Sequence, residues 1–303
     1  MATSGPHSDA YLMNRSIATP AHAIAKETER EFEYSSTDFE HIRKLIYEHA
    51  GISLSSNKQD MVYGRLARRL RLHGMKRFSD YLSFLETGSI EEWEAFTNAL
   101  TTNLTAFFRE QHHFPILTEH LAARRGKRDL VLWCCAASTG EEPYSIAMTV
   151  AELFGSMNVP VKILATDLDT GVLRHAQAGI YPKERVDKIP PALVARYFTN
   201  EPSLLAGSFR VRPELQRMVS FRQLNLLDKN WTVGGPIDAI FCRNVLIYFD
   251  KPTQATILKR FAPLMQDDGL LFIGHSESLF HVADTFHLRG KTVYERVKKA
   301  TSP

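Results

Sequence analysis

Hydrophobic positions follow two different spacings along the chain, and the spacing changes near residue 113. Between residues 35 and about 102, apolar side chains recur every three or four positions, which predicts amphipathic helices. From about residue 113 onward, short apolar runs alternate with helical patterns, which is typical of a parallel sheet with helices on its faces. The sequence therefore predicts two domains of different class.

The first domain, residues 35–102, is predicted to be a compact bundle of four short helices. Ser and Asn residues that can cap a helix precede each apolar stripe, and Gly residues follow several of them. Residues 1–34 are mostly polar with no clear apolar period, which predicts a mobile tail. The predicted helix starts are Ser36, the stretch from Ser55 to Asn57, Ser79, and Ser89 with Glu92 as a capping box, and the predicted ends are near Gly51, Gly74 and Gly88.

The second domain, residues 113–298, is predicted to have an α/β fold and to follow a linker at 103–112. Its last strands flank Arg289-Gly290-Lys291 and predict a hairpin, so the sheet is similar to the Rossmann-like sheet of class I methyltransferases. Prolines interrupt the pattern between 181 and 215, which predicts a small inserted β-subdomain. The predicted strands are 130–135, 161–166, 219–223, 237–242 and 269–273, and the predicted helices are 113–124, 141–154, 168–177 and 252–265.

Residues 129–144, DLVLWCCAASTGEEPY, are the most informative stretch. They predict a buried strand that feeds a tight turn and a helix, with a ligand pocket at the carboxyl end of the strand. Glu141 and Glu142 stand at the helix start, where two carboxylates would repel the pyrophosphate of a dinucleotide. This charge favours a cofactor with a cationic centre and an ammonium group, such as S-adenosylmethionine, and therefore methyl transfer over hydride transfer.

Polar residues also follow the other predicted strands. Asp167 suits a ribose diol because its two oxygens can each accept a hydroxyl hydrogen, whereas Asp169 fits a helix cap. Asn225 could read an adenine edge or could be an ordinary turn asparagine. Arg243 and Asn244 end the fourth strand; they belong in a pocket, or else Arg243 pairs with a carboxylate and Asn244 satisfies turn backbone.

Two basic features lie outside the predicted sheet. The linker TTNLTAFFRE mixes polar, aromatic and basic residues and could close over a pocket, and the guanidinium of its Arg109 could hold a carboxylate bidentately. The second helix is predicted to bury Val62, Leu66 and Leu70 and to turn its arginines to water. That face is either solvated surface or a docking site for an acidic partner; its arginines are Arg65, Arg68, Arg69 and Arg71.

Composition narrows the class of protein further. The 303 residues are 44% hydrophobic and 23% charged with a net charge of +3, which suits a globular protein and gives little support for a nucleic-acid partner. No apolar run approaches the ~20 residues of a membrane span, and the N-terminus lacks a signal pattern. The three cysteines lie in apolar runs without zinc-ligand spacing. We therefore expect buried thiols, a cytoplasmic location and no membrane insertion.

Four motifs together resemble the CheR-type chemotaxis receptor glutamate methyltransferases, over residues 36–297. They are TTNLTAFFRE at 101–110, AASTGEEPYSIA at 136–147, ATDLDTGVL at 165–173 and FCRNVLIYFD at 241–250. The resemblance implies transfer of a methyl group from S-adenosylmethionine to glutamate side chains on the cytoplasmic helices of chemoreceptors, leaving S-adenosylhomocysteine. It implies no nucleic-acid partner.

The resemblance also assigns roles to individual residues. Arg109 and Tyr248 would lie nearest the chemistry, the arginines of the second helix would meet the receptor, and the insert at 181–215 resembles a subdomain that binds a receptor tail peptide in some members. No metal site is implied, and either Glu141 or Glu142 could contact the cofactor. The implied cofactor residues are Asn103, Thr105, Arg109, Glu141, Asp167, Asn225, Leu226, Arg243 and Asn244.

Two other functions remain compatible with the residues. A methyltransferase acting on RNA or on a small molecule could use the arginine helix to grip phosphates, which would make binding steeply dependent on salt. Alternatively, the chain could bind S-adenosylmethionine or its product without catalysis and signal through its helical domain.

Overall fold

The computed structural model describes residues 30–200 and 207–297. Most of the predicted tail, residues 1–29, lies outside the described residues, as do 201–206 in the insert and 298–303 at the end. The predicted tail boundary at residue 34 is too late, because Phe32 is buried in the helical core. Glu33 N also donates to the backbone oxygen of Lys76, and Phe78 N donates to that of Glu33, so the folded chain already includes these residues.

Four helices form the first domain, as predicted, and their apolar stripes meet in one core. Fully buried members of that core include Ile46, Leu66 and Phe96. α1 ends where Gly51 adopts a left-handed φ of 69°, a conformation that glycine reaches without a steric penalty. The helices are α1 Ser36–Ala50, α2 Gln59–Leu72, α3 Phe78–Glu86 and α4 Ile90–Leu100, with a 3₁₀ turn at Ser56–Lys58 before α2.

Two predicted helix starts and one predicted capping box need correction. The cap of α1 is Ser35 rather than Ser36, since Ser35 Oγ accepts a hydrogen bond from Asp38 N at 3.1 Å. α3 begins one residue before Ser79. Ser89 does cap α4, but the carboxylate of Glu92 does not return to the helix start. It points into the domain instead, where Tyr81 Oη donates to it at 2.8 Å.

The second domain is built on a seven-stranded sheet with the order β6-β2-β1-β7-β8-β10-β9. The first five strands in this order are parallel, and β10 pairs antiparallel with both β8 and β9. This is the class I methyltransferase arrangement, so the predicted fold class is confirmed. The strands are β1 Leu130–Cys134, β2 Val161–Asp167, β6 Val219–Gln223, β7 Ile237–Cys242, β8 Met265–Ile273, β9 Phe286–Gly290 and β10 Val293–Arg296, and the long helices are α5 His113–Ala122, α6 Glu141–Phe154, α7 Thr170–Ala178 and α11 Lys251–Phe261.

The prolines between β2 and β6 mark a second, small sheet, as predicted. Its three strands are antiparallel with β5 in the middle, and the helices in its described part are all short. Within the described residues, no helix of the chain is both long and apolar enough to cross a bilayer. The elements of this insert are β3 Ile180–Pro182, α8 Lys183–Val186, α9 Pro191–Tyr197, β4 Phe198–Asn200, β5 Ser208–Val211 and α10 Pro213–Gln216.

Helix α5 brings a histidine into contact with the central sheet. His120 is 5% exposed, and its Nε2 lies 3.0 Å from the backbone oxygen of Asp238 in β7. Burial, with the nearby charge of Arg124, lowers the pKa of His120 from 6.5 to about 4. The folded protein therefore holds this imidazole neutral at pH values where the unfolded chain binds a proton.

Acidification is expected to remove the stability that neutral His120 contributes. Because its folded pKa lies below its unfolded value, the loss begins near pH 6.5 and is complete near pH 4, at up to about 1.4 kcal/mol per pH unit. Urea unfolding should show the wild type losing about 2 kcal/mol more than His120→Gln between about pH 7.5 and about pH 5. Parallel pH profiles for the two proteins would contradict this assignment.

Candidate active site

A cavity of about 520 Å³ opens at the carboxyl ends of β1, β2, β6 and β7, and the helical domain covers one side of it. This volume is typical of a site for a small molecule or cofactor. Polar side chains come from the sheet domain and the linker, and the helical domain supplies apolar side chains together with Ser53, Ser55, Lys58, Thr101 and Thr102. Among the lining residues are Asn103, Thr105, Arg109, Glu142, Asp167, Asn225, Leu226, Arg243, Asn244 and Tyr248, and opposite them Ala50, Ile52, Leu54, Met61 and Leu100.

Every residue predicted to contact the cofactor lines this cavity except Glu141. Successive side chains on a helix point about 100° apart, so the two acids at the start of α6 cannot both face the cavity. Glu142 faces it, and Glu141 turns away, accepting a hydrogen bond from Thr139 Oγ1 at 2.6 Å. Of the two acids between which the sequence left the choice open, Glu142 lines the cavity and Glu141 does not.

Arg243 is the electrostatic centre of the site. Its side chain is fully buried, with Nη1 2.7 Å from Glu142 Oε2 and Nη2 3.4 Å from Glu110 Oε2. Nη2 also donates to the backbone oxygen of Arg109 at 2.5 Å. Burial raises the pKa of Glu110, but Arg243 and hydrogen bonds from His275 and Asn244 outweigh this effect and lower it to about 2. Arg243 thus pairs with carboxylates and also belongs to the cavity wall, so both interpretations of this residue hold.

Asp167 lies at the end of β2, where the sequence predicts a ribose contact. Its carboxylate accepts hydrogen bonds from the backbone nitrogens of Ser138 at 2.8 Å and Asp169 at 3.0 Å. Burial raises its pKa to about 6, against the opposing effect of these hydrogen bonds. Asp169 caps α7, as predicted, by accepting from the backbone nitrogens of Gly171 and Val172.

The amide of Asn225 connects the two domains. Its Nδ2 donates to the backbone oxygen of His49 at 2.9 Å, and its Oδ1 accepts from the backbone nitrogen of Leu227 at 2.9 Å. These contacts fit the turn asparagine considered above, and they leave one amide hydrogen for other contacts. Leu226 beside it is buried and gives the cavity an apolar wall.

The linker places Arg109 in the same cavity as Tyr248, which lies in the turn after β7. Arg109 Nη1 donates to the backbone oxygen of Leu104 at 2.9 Å, and Tyr248 Oη donates to that of Thr102 at 3.4 Å. Asn103 Nδ2 donates to Asp169 Oδ2 at 2.8 Å, which fixes the linker against the start of α7. The predicted cofactor and acceptor residues of the linker therefore converge on one space.

Strained backbone surrounds this cavity. Phe108, Glu110, Ser138 and Asn244 adopt left-handed φ values of 51°, 55°, 48° and 57°. Such conformations cost non-glycine residues of the order of 1–3 kcal/mol each and cluster at functional sites. Phe108 and Glu110 flank Arg109, so contacts from the surrounding structure determine where the backbone of Arg109 lies.

Glu277 is a site residue that the sequence analysis missed. It is buried, and its carboxylate accepts backbone hydrogen bonds from Gly274, Asn244 and Leu246 at 2.6, 3.0 and 2.8 Å. It therefore holds the turn that presents Asn244 and Tyr248 to the cavity. The polar stretch His275-Ser276-Glu277 directly after a buried strand was the signal that could have revealed it.

One group of side chains near Arg243 has the donor spacing of a metal site. The ligand atoms of Glu110, His112 and His113 lie within 4.8 Å of one another. His113 is fully buried, and burial together with the charge of Arg243 lowers its pKa to about 4. Because the guanidinium of Arg243 already balances Glu110 and would repel a cation, the arrangement fits an ion pair better than a metal centre.

The predicted basic face of α2 is smaller than the sequence indicates. Arg65 and Arg69 are only partly exposed. Arg65 Nη1 donates to the backbone oxygens of Leu100 and Thr101 at 2.9 and 2.6 Å, and Arg69 bonds to the buried Glu92. Carbonyl oxygens at the end of α4 and a buried carboxylate both attract a guanidinium. Arg68 and Arg71 are exposed.

The class I sheet has Glu142 at the start of the helix after β1 and Asp167 at the end of β2, both lining one cavity. This arrangement fits a methyltransferase that uses S-adenosylmethionine. The chain belongs to the CheR methyltransferase family. Residues 37–101 match the all-alpha domain of CheR methyltransferases, and residues 103–295 match their SAM binding domain. The predicted enzyme class and cofactor are confirmed.

Curated relatives match nearly the whole chain. A chemotaxis protein methyltransferase of Klebsiella aerogenes is 51% identical over 91% of this chain and 95% of its own length. The chemotaxis protein methyltransferase of Escherichia coli is 53% identical over 86% of this chain and 91% of its own. Chemotaxis protein methyltransferase 2 of Pseudomonas aeruginosa is 50% identical over 88% and 95%, respectively.

Proposed function

We propose that the enzyme transfers methyl groups from S-adenosylmethionine to glutamate side chains of chemoreceptors, forming methyl esters during chemotactic adaptation. The convergence of Arg109 and Tyr248 with Glu142 and Asp167 on one cavity carries this proposal. Arg109 and Tyr248 supply a cation and a phenol for an acceptor carboxylate, and Glu142 and Asp167 supply acids for a cationic cofactor. The similarity to chemotaxis protein methyltransferases supports the choice of acceptor.

The residues present fit the cofactor. S-adenosylmethionine supplies a methyl group on a positively charged sulfur, with a neutral thioether as the leaving group. Glu142 would attract its ammonium or sulfonium charge, and Asp167 would accept hydrogen bonds from its ribose hydroxyls. Asn103, Thr105, Asn225, Leu226 and Asn244 would form the remaining walls around the nucleoside and the amino-acid portion.

The chain's own contribution to the reaction is alignment. A glutamate carboxylate is already ionised at neutral pH, so no general base is needed. Arg109 would hold one carboxylate through its guanidinium, and Tyr248 would fix its direction by a hydrogen bond. Cys135 also lines the cavity, but burial raises its pKa well above 9, so it stays a protonated thiol rather than a nucleophile.

Two surfaces are candidates for receptor contact. Arg68 and Arg71 are exposed on α2 and would meet acidic residues of the receptor's cytoplasmic helices. The reaction would therefore take place in the cytoplasm. The three-stranded insert would hold a receptor tail peptide.

The decisive experiment uses S-adenosylmethionine carrying a tritiated methyl group and membranes that contain chemoreceptors. Base-labile label on the receptor, released as methanol, would establish carboxyl methylation. Cofactor binding without any transfer would favour the silent sensor, and label on RNA would favour the alternative acceptor.

Arg109→Ala is expected to lower kcat by about a hundredfold at saturating receptor, because the acceptor carboxylate loses its orienting cation. Initial rates of methyl transfer measure the effect, and calorimetric titration with S-adenosylhomocysteine separates it from loss of cofactor binding. Full turnover of Arg109→Ala at saturating receptor would rule out this role.

A further inference from the structure

A cation of the insert contacts both cofactor-lining loops. Arg185 lies on α8, outside the cavity lining. Its Nη1 donates to the backbone oxygen of Thr105 at 2.8 Å and lies 3.6 Å from Glu141 Oε1. Thr105 belongs to the linker that lines the cavity, and Glu141 begins α6 directly before Glu142. One side chain therefore joins the insert to the linker, which lines the cavity, and to the first residue of α6, next to Glu142.

This contact gives the buried carboxylate of Glu141 a cation, in addition to the hydrogen bond from Thr139 Oγ1. Glu141 is 1% exposed, and a buried carboxylate is costly without a positive partner. Arg185 supplies that positive charge from a side chain that is itself partly exposed. The acid that turns away from the cavity thus holds Arg185 in place, and Arg185 in turn holds Thr105.

Packing of aromatic rings supports the same two loops from the insert. Phe107, two residues after Thr105, is buried with its ring centroid 4.9 Å from that of Tyr181 and 5.6 Å from that of Phe198. Tyr181 Oη donates to the backbone oxygen of Thr139 at 2.7 Å, beside the start of α6. The linker and the β1–α6 turn therefore rest on the insert at the same place.

We propose that Arg185 is a positioning residue through which the insert sets cofactor affinity. Its ion pair with Glu141 and its hydrogen bond to Thr105 fix the linker and the first turn of α6 at their cofactor-binding spacing. The inference rests on the proposed placement of S-adenosylmethionine in the cavity. Because coupling between sites is reciprocal, a ligand that binds the insert and moves Arg185 changes cofactor affinity, and the cofactor changes the affinity of that ligand equally.

The insert offers a matched control. Arg196 on α9 pairs with Glu152 on α6, and both side chains are substantially exposed. Neither residue lines the cavity. Arg196→Gln therefore removes a second ion pair between the insert and α6 without touching the linker or Glu141.

The test is calorimetric titration of the full chain with S-adenosylhomocysteine. We expect Arg185→Gln to weaken binding by about tenfold, Arg185→Lys to fall between it and the wild type, and Arg196→Gln to stay within about twofold. Hydrogen exchange of the amides of residues 103–109 should accelerate in Arg185→Gln alone.

Three results separate the possible failures. Wild type that does not bind S-adenosylhomocysteine would overturn the cofactor placement itself. Wild-type affinity in Arg185→Gln, with the wild type binding normally, would overturn only the positioning role. Equal losses in Arg185→Gln and Arg196→Gln would overturn it as well, since general loosening of the insert would then account for both.

Discussion

Arg243→Met is expected to abolish methyl transfer and to lower the free energy of unfolding by about 3–5 kcal/mol. The substitution leaves Glu142 and Glu110 without the cation that lies 2.7 and 3.4 Å from them. It also removes the hydrogen bond to the backbone of Arg109, on which the strained linker depends. Denaturant unfolding measures the stability change, and methyl transfer to receptor measures the activity.

A second substitution distinguishes charge from shape in this cluster. Adding Glu142→Gln to Arg243→Met removes one uncompensated carboxylate, so stability should partly recover while activity stays absent. Unfolding of Arg243→Met within about 1 kcal/mol of the wild type would show that the two carboxylates find other partners.

Arg69→Met is expected to lower the free energy of unfolding by about 3 kcal/mol, whereas Arg68→Met changes it by about 0.5 kcal/mol or less. Arg69 is bonded to Glu92, whose side chain is 6% exposed, and loss of the guanidinium leaves that carboxylate buried with only Tyr81 and His73 beside it. Arg68 is exposed on the same helix. Urea unfolding of the two variants, which differ by one helical position, measures the contrast.

Receptor kinetics test the proposed role of Arg68 at the receptor surface. Arg68→Met should raise KM for the receptor and leave affinity for S-adenosylhomocysteine unchanged, because Arg68 does not line the cavity. If Arg69→Met were as stable as the wild type, Glu92 would not depend on it. If Arg68→Met left KM unchanged, the exposed part of α2 would not be the receptor surface.

Local sequence patterns predicted the elements well where burial and turn residues agree. The bounds of β6, β7 and α6 are those expected. β7 is an apolar run that ends at Arg243, and α6 lies between Gly140 and Gly155. Parallel strands place their carboxyl ends at one sheet edge, so Asp167 and Asn225 could be assigned to one pocket before the fold was known.

The features that local patterns did not predict depend on contacts between residues distant in sequence. Glu92 satisfies a local capping pattern, yet its carboxylate bonds to Arg69, 23 positions earlier in the chain. Glu141 lies 3.6 Å from Arg185 in the insert, and Glu277 bonds to a turn more than 30 positions before it. No helical period or strand ending contains these pairings, because each arises only when separate elements pack together.

The cavity has walls in both domains, with Ile52 and Leu100 on one side and Asp167 and Asn225 on the other. The two family matches meet between residues 101 and 103, inside this wall. Recombination between family members at that junction would therefore join two half-sites that had never fitted each other. The point where the chain divides most simply into modules is the point where an exchange of modules would most directly damage its chemistry.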